Sequence, residues 1–425
     1  MSKLDREVFL IIVISIIKNL RRFKNLINVK MYPAENGDCF LISLGEESRK
    51  HILIDCGYAD TYHNYLKNDL QVLKKLGEKI DLFIVTHIDE DHILGAIAFI
   101  EENNESEIIE IEEVWYNCYR HLQIDKKEGA LNEKETKILQ REIALGESYI
   151  KRESFSGVDK SEVSIKQGST FGALLLKGGY KWNSSFEEKA VSQDNIEKVE
   201  LGDVSINILS PNNEKLEKLK KKWIKELTNK KWNFNITEDS LFDDAFEFML
   251  LMYEELQIDK TEVSSEEILT IESLQKNIQR KGNLDNSPTN GSSIAICINY
   301  KERNLLFLGD AHPDILYKNI RNLGIEKFDL VKVPHHGSSK NMTLELSGVL
   351  KSDKFLISTN GNKHTHPDLE SLAKLIYMNQ DINKEFYFNY ETKASKWLST
   401  KEMKKSFNLE IVEGNSSTPL NVAVD

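Results

Sequence analysis

The sequence predicts a layered α/β protein. Short β-like runs alternate with amphipathic helical segments in both halves of the chain, and four apolar strands each end in an acid or imidazole cluster. The 425 residues are 40% hydrophobic and 29% charged, which is the composition of an ordinary globular protein and excludes collagen, simple disorder and a polytopic membrane protein. Length alone suggests two or three domains, although large α/β layers run this long as one unit.

Charge narrows the field further. Lys and Arg number 56 against 68 Asp and Glu, a formal charge of −12. That balance argues against a nucleic-acid coat protein, whose phosphate affinity needs a basic footprint, but leaves room for a nuclease whose metal ions face the phosphate. The four cysteines, Cys39, Cys56, Cys118 and Cys297, form no CxxC pair, so neither a zinc knuckle nor a disulfide framework is indicated and a cytoplasmic location is expected.

Taken in order, Val8 to Ile17 is a largely apolar stretch followed by Lys18, Arg21, Arg22 and Lys24. It is too short to span a bilayer, which takes about 20 residues. A signal peptide is disfavoured because Asp5 and Glu7 offset Lys3 and Arg6 and no small-residue cleavage site follows. Residues 1–26 are read as an extension, either an extra helix or strand packed on the domain (or a start codon placed upstream) or a weak membrane-surface anchor, with no stable membrane insertion.

Ile27–Tyr32, Cys39–Leu44 and His51–Cys56 then read as strands, and Tyr62 to Leu76 as a helix with Leu66, Leu70, Leu73 and Leu76 on one face and Gly77 as its stop. Asp81–Thr86 reads as a buried strand, Ile93–Glu102 as a helix and Ile108–Tyr116 as a strand. Asn132–Arg152 is helical, and the rest of 125–200 shows little periodicity. Lys215 to Trp232 holds eight lysines with apolar residues at helical spacing; it reads as a solvated amphipathic face, with a nucleic-acid contact as the alternative. Asp239 to Arg280 is a second helical insert. Strands return at Ile294–Tyr300, Asn304–Leu308, Leu330–Val333 and Phe355–Ser358, and Pro367–Met378 is helical.

The chemistry concentrates at strand ends. Thr86-His87-Ile88-Asp89-Glu90-Asp91-His92 follows an apolar strand and precedes a helix, so four potential metal ligands share one turn. Residues 87, 89 and 91 can point together from an extended segment, with His92 swinging across as the helix begins. Asp55 ends Ile52–Ile54, Asp310 ends Leu305–Leu308, and His335-His336 follow Val331–Pro334. A charge at the end of an apolar strand is costly unless it is paired or metal-bound. Gly37-Asp38 and Asn290-Gly291-Ser292-Ser293 either line the same cleft or are ordinary turns.

These residues resemble the metallo-β-lactamase superfamily, and within it the stand-alone relatives of the hydrolase domain of the DNA-uptake competence channel (ComEC-like). The likeness rests on the HxDxDH form at 87–92, on Lys332-Val333-Pro334-His335-His336-Gly337-Ser338, on His364-Thr365-His366-Pro367 and on the early Gly37-Asp38. It implies an αββα sandwich over 27–412, with helical inserts near 122–200 and 228–288 and a tail at 413–425. It also implies two divalent metal ions, Zn2+ or Mn2+. By the same resemblance His87 and Asp89 face the first metal; Asp91 and His92 hold the second with one histidine of the 335–336 pair, His336 being favoured; Asp310 bridges both. Asp55 orients the cluster from behind, Asp38 lies beside it, and His366 approaches the substrate as a phosphate donor or general acid.

One departure stands out. The superfamily's third histidine has no counterpart where Val204–Leu209 runs into Ser210-Pro211-Asn212. Either His121 reaches the site, or the first metal is held by His87, Asp89, Asp310 and water, which tilts the preference toward manganese. The implied function is hydrolysis of a phosphodiester, DNA or a nucleotide, with Asp91, Asp310 and His366 in the catalytic roles. The alternatives are a lactone, thioester or amide hydrolase of the same fold, and a metal-binding module with a degenerate site acting through protein partners.

Overall fold

The computed structural model describes residues 27–46, 49–122, 131–153, 170–229, 240–256, 270–278, 282–363 and 365–425. The 1–26 extension and His364 lie outside these residues. Among the described residues no helix is long and apolar enough to cross a membrane.

Two sheets form the middle of the molecule. The first has six strands in the order β14-β1-β2-β3-β4-β5; the second has eight in the order β13 (Leu409–Glu413), β12 (Lys384–Phe388), β11 (Lys354–Ile357), β10 (Leu330–Lys332), β9 (Arg303–Phe307), β8 (Ala295–Tyr300), β7 (Val204–Ser210), β6 (Lys198–Leu201), where β5 is Val114–Trp115 and β14 Leu420–Val424. Strands β1 (Ile27–Met31), β2 (Phe40–Leu44), β3 (Lys50–Ile54) and β4 (Leu82–Ile84) put alternate side chains on opposite faces. Ile27, Val29, Met31, Phe40, Ile42, Ile52, Ile54, Leu82 and Ile84 meet Ile206, Ile296, Ile298, Leu305, Phe307, Leu330 and Leu356 of the second sheet in one buried layer. Phe40 and Phe307 touch across it edge to face, 5.5 Å between centroids.

The residues between, such as Leu41, Leu53 and Phe83, face outward and are covered by the helices Lys67–Lys75, Glu90–Ser106, Phe171–Gly178, Asn213–Asn229 and Ser240–Leu256. On the second sheet Cys297, Leu306, Val331, Phe355 and Ile357 are covered by Ile271–Ile278, Pro313–Asn322 and Leu369–Met378. The layering is helix, sheet, sheet, helix, as the family resemblance implied.

Several boundaries differ from the sequence reading. The helix expected from Ile93 begins at Glu90, with Asp89 at its cap position. The backbone N–H groups of His92 and Ile93 both donate to the Asp89 carbonyl, and Glu90 and Asp91 suit the positive end of the helix dipole. The strand expected over Ile108–Tyr116 shrinks to β5 (Val114–Trp115), since Glu110 and Glu112 turn to Lys79 in ion pairs at the sheet edge. Irregular as it seemed, 170–201 supplies the helix Phe171–Gly178 and the strand β6 (Lys198–Leu201). In the stretch read as a tail, β14 (Leu420–Val424) pairs antiparallel with β1 over five residue pairs.

Val422 is 1% exposed and buried between the sheets, whereas Asn421 points out. Val422→Ala should cost about 2 kcal/mol of unfolding free energy in urea titration, from two lost methyl groups and the residual cavity. Asn421→Ala should stay within about 0.5 kcal/mol. Equal effects at the two positions would contradict the pairing of β14 with β1.

Candidate metal centre

The chemical residues gather where parallel strands of both sheets end. β3 pairs parallel with β4, and β9 (Arg303–Phe307) with β10 (Leu330–Lys332), so Asp55, His87, Asp310 and the two histidines after Pro334 all leave their strands at carboxyl ends. Such ends form a crevice in open α/β sheets. Asp38 joins them because β2 runs opposite to β3 and begins at that edge. A backbone bond from Ile294 N–H to the Thr86 carbonyl, 2.9 Å, ties the two sides together.

Asp310 is the hub. Its Oδ2 lies 3.5 Å from His335 Nε2, 3.5 Å from His336 Nε2, 3.7 Å from His92 Nε2 and 4.0 Å from His87 Nε2. His87 Nε2 is 3.3 Å from Asp89 Oδ2, and Asp91 sits 3.8 Å from His92 and 3.6 Å from His336. Three groupings have ligand spacing among the described residues: His87 with His92 and Asp310, Asp91 with His92 and His336, and, behind them, Asp38 with Asp55 and His92.

Each ring is held from behind. Asp55 accepts from the Thr86 N–H (2.7 Å), the Thr86 hydroxyl (2.8 Å) and His92 Nδ1–H (2.8 Å). His336 Nδ1–H donates to the Ser358 carbonyl at 2.8 Å. An acceptor at Nδ1 puts the proton there and leaves the Nε2 lone pair for the centre in the neutral ring. His335 Nδ1 is 2.8 Å from Asn341 Oδ1 and 3.6 Å from Asp285.

The backbone is bent to serve this arrangement. Asp55, His335 and His336 have φ of +53°, +46° and +54°, left-handed values that cost a non-glycine residue about 1–2 kcal/mol each. Gly37 is required for a different reason: a Cβ there would lie 1.9 Å from the Asp91 carbonyl oxygen, so only glycine lets the Asp38 turn rest on the first turn of the ligand-bearing helix.

Charge is unbalanced without cations. Burial alone would lower the His92 pKa, but Asp310, Asp55 and Asp91 raise it well above the ordinary imidazole value. For His335 burial is likewise outweighed by Asp310 and Asp285, to about 10, and His336 is raised by Asp310 and Asp38 against the same burial. Burial raises the Asp310 carboxyl, yet His335, His336 and His92 hold it well below the carboxylate range. Meanwhile His87 Nε2, His92 Nε2, Asp89 Oδ1 and Asp310 Oδ1 are buried without a hydrogen-bond partner. Each such orphan costs about 1–3 kcal/mol. Imidazole nitrogens and carboxylate oxygens left bare in one crevice fit divalent cations.

Not every expected residue lands here. His335 reaches the centre through Asp310 and belongs to none of the three-residue groupings, whereas His336 meets both Asp91 and Asp310. His366 stands one layer out, its ring 5.7 Å from His335 and its Nδ1 3.1 Å from Asp368 Oδ1. His121 joins none of the groupings: its Nδ1 accepts the Cys118 N–H at 3.1 Å, its ring packs edge-on to Trp182, and it lines a cavity of about 340 Å³ with Arg120, Lys189 and Asn213. Of the weaker candidates, Ser293 Oγ accepts the Asp310 N–H at 3.0 Å and Asn290 donates to Asp285 at 2.8 Å. In the basic helix Lys218, Lys220 and Lys221 pair with Glu214 and Glu217, and Lys215 with Asp314.

Sequence reasoning gave no role to Lys332 or Thr86, though both head quoted motifs, and missed Asp285 and Asn341. Lys332 alone carried a signal, a cation in the apolar run 330–333.

Compared with known proteins, residues 32–156 match the family model described as Metallo-beta-lactamase superfamily. The fold is of the metallo-β-lactamase type. The matched segment carries Asp38, Asp55 and the candidate ligands from His87 to His92, while Asp310 and His336 come from outside it. Among solved structures, CmlA, a diiron beta-hydroxylase from Streptomyces venezuelae, and a point mutant of it are each 11% identical with a TM-score of 0.34. Each alignment covers 93% of this chain and 54% of the CmlA chain, so the protein spans about half their length. No curated protein matches the chain.

In this crevice protons and any bound cation would compete for the same lone pairs. The raised imidazole pKa values contribute stability that is complete below the free value of 6.5 and is lost as pH climbs, for His335 through about 10. The rise in melting temperature on adding Mn2+ or Zn2+ to chelator-treated protein should therefore grow between about pH 6 and pH 8. A rise that is the same at both pH values would speak against imidazole ligation.

Proposed function

We propose that the protein is a metal-dependent phosphodiesterase of the ComEC-like kind, acting on DNA or a nucleotide. The observation that carries this reading is the convergence of four imidazoles on one oxygen of Asp310 beside Asp89 and Asp91. His87, Asp89 and Asp310 would hold one divalent cation, and Asp91, His92, His336 and Asp310 the other. The mixed donor set suits Zn2+ or Mn2+, and the oxygen-rich first position, with His121 elsewhere, favours Mn2+. When bound, the pair supplies an activated nucleophile at neutral pH and screens the charge that develops on the phosphate.

The remaining steps belong to the chain itself. Asp55 keeps the Nδ1 proton on His92, and Ser358 does so for His336, so both rings present lone pairs inward. Asn36 Nδ2 donates to Asp91 Oδ2 at 2.6 Å and fixes that carboxylate. His366, oriented by Asp368, hands a proton to the leaving oxygen. Support for a phosphodiester over a carbonyl substrate comes from the HxDxDH form, the paired histidines after Pro334 and His366-Pro367, all features of the ComEC-like resemblance.

Single-stranded DNA, a bis-phosphodiester dye and a lactone, each assayed with Mn2+, Zn2+ and Mg2+, test the reading. Turnover of the two phosphodiesters is expected, and hydrolysis of the lactone alone would refute it. Asp91→Ala should reduce turnover to background while circular dichroism stays native. His366→Ala should lower kcat by about 100-fold or more with metal content unchanged.

A further inference from the structure

Alternation along β10 gives Lys332 an unusual place. Leu330 faces the layer between the sheets and Val331 the outer core, so Lys332 turns back between the sheets, where it is 1% exposed. An apolar side chain would fill that position at no electrostatic cost. Instead the ammonium makes a direct ion pair with Asp38, lies 3.9 Å from Asp310 Oδ1 and donates to the Gly309 carbonyl at 3.4 Å. Asp38, 1% exposed, reaches His336 Nδ1 at 3.5 Å with its other oxygen. The lysine thus touches the carboxylate that backs one ligand and the carboxylate shared by all.

Five carboxylates, Asp38, Asp55, Asp89, Asp91 and Asp310, crowd this crevice, and among the described residues Lys332 is the lysine or arginine that contacts Asp38 and Asp310. Carboxylates so close repel one another unless a positive charge sits among them. We infer that Lys332 is a resident counterion of the centre, a positioning residue whose fixed charge holds Asp38, Asp310 and, through Asp38, the His336 ring in ligand geometry when the divalent cations are absent. The inference rests on the metal-centre reading above and adds how the site stays formed before loading.

Melting temperatures of the full chain, chelator-treated and then reloaded with Mn2+ or Zn2+ with metal content measured, test it. Lys332→Met should lower the chelated form by about 5 °C or more beyond its effect on the loaded form, because bound cations take over the lost countercharge. A lysine that merely packs would lose the same amount in both forms, and equal losses overturn the inference. Should Lys332→Met not fold, Lys332→Met/Asp38→Asn decides: with the orphaned carboxylate removed as well, a chelated protein melting near the wild type supports the counterion role, and a double variant that also fails to fold overturns it. A wild type indifferent to chelation and reloading would instead sink the metal-centre reading itself.

Discussion

Carboxylates crowded into a dry crevice are the constraint on which this structure turns. Asp310 sits where the second sheet ends, Asp55 where the first does, and both are essentially inaccessible to water. Charges in such a place persist only with partners. The partners come from every side: imidazoles on two turns, a threonine hydroxyl and amide, a lysine rising from the inter-sheet layer. The sandwich brings these together because two faces that must bury their apolar alternation against each other also align their strand ends.

Local strain follows from the same demand. Two consecutive histidines in the left-handed region are unfavourable, and Asp55 adds a third such residue. What retains them is over-determination by neighbours. His335 is gripped by Asn341, its own N–H donates to the Gly309 carbonyl at 2.9 Å, and His336 is bonded to Ser358, whose hydroxyl in turn donates to the Gly37 carbonyl. The Gly37 turn therefore touches the ligand-bearing helix on one side and the support of His336 on the other. Displacing it would disturb both halves of the centre.

Much of this was legible in the sequence, for a physical reason. Apolar alternation is imposed by burial, so β1 to β4 and β8 to β11 announce themselves, and an acid closing an apolar run is too costly to be accidental. The layered fold and the strand-end positions of Asp55, His87, Asp310 and the histidine pair were read from that pattern. The choice between His335 and His336 was not, because it depends on backbone angles that residue identity does not reveal. Asp285 lies in an aperiodic loop 50 residues before His335, and Asn341 ends a single 3-10 turn six residues after it, neither marked by a hydrophobic pattern. The early start of the helix at Glu90 was hidden by polar residues, Glu90, Asp91 and His92, that precede its apolar face. β14 escaped notice because its partner, β1, lies at the far end of the described chain.

That pairing bears on how the molecule is made. β1 is synthesised well before residues 420–424, which cover its outer edge, and the candidate ligands at 87–92 well before Asp310 and His336. In the interval the nascent chain carries an open strand edge and part of a cluster of acids. Until residues 420–424 follow, that edge is open to pairing with strands of other chains.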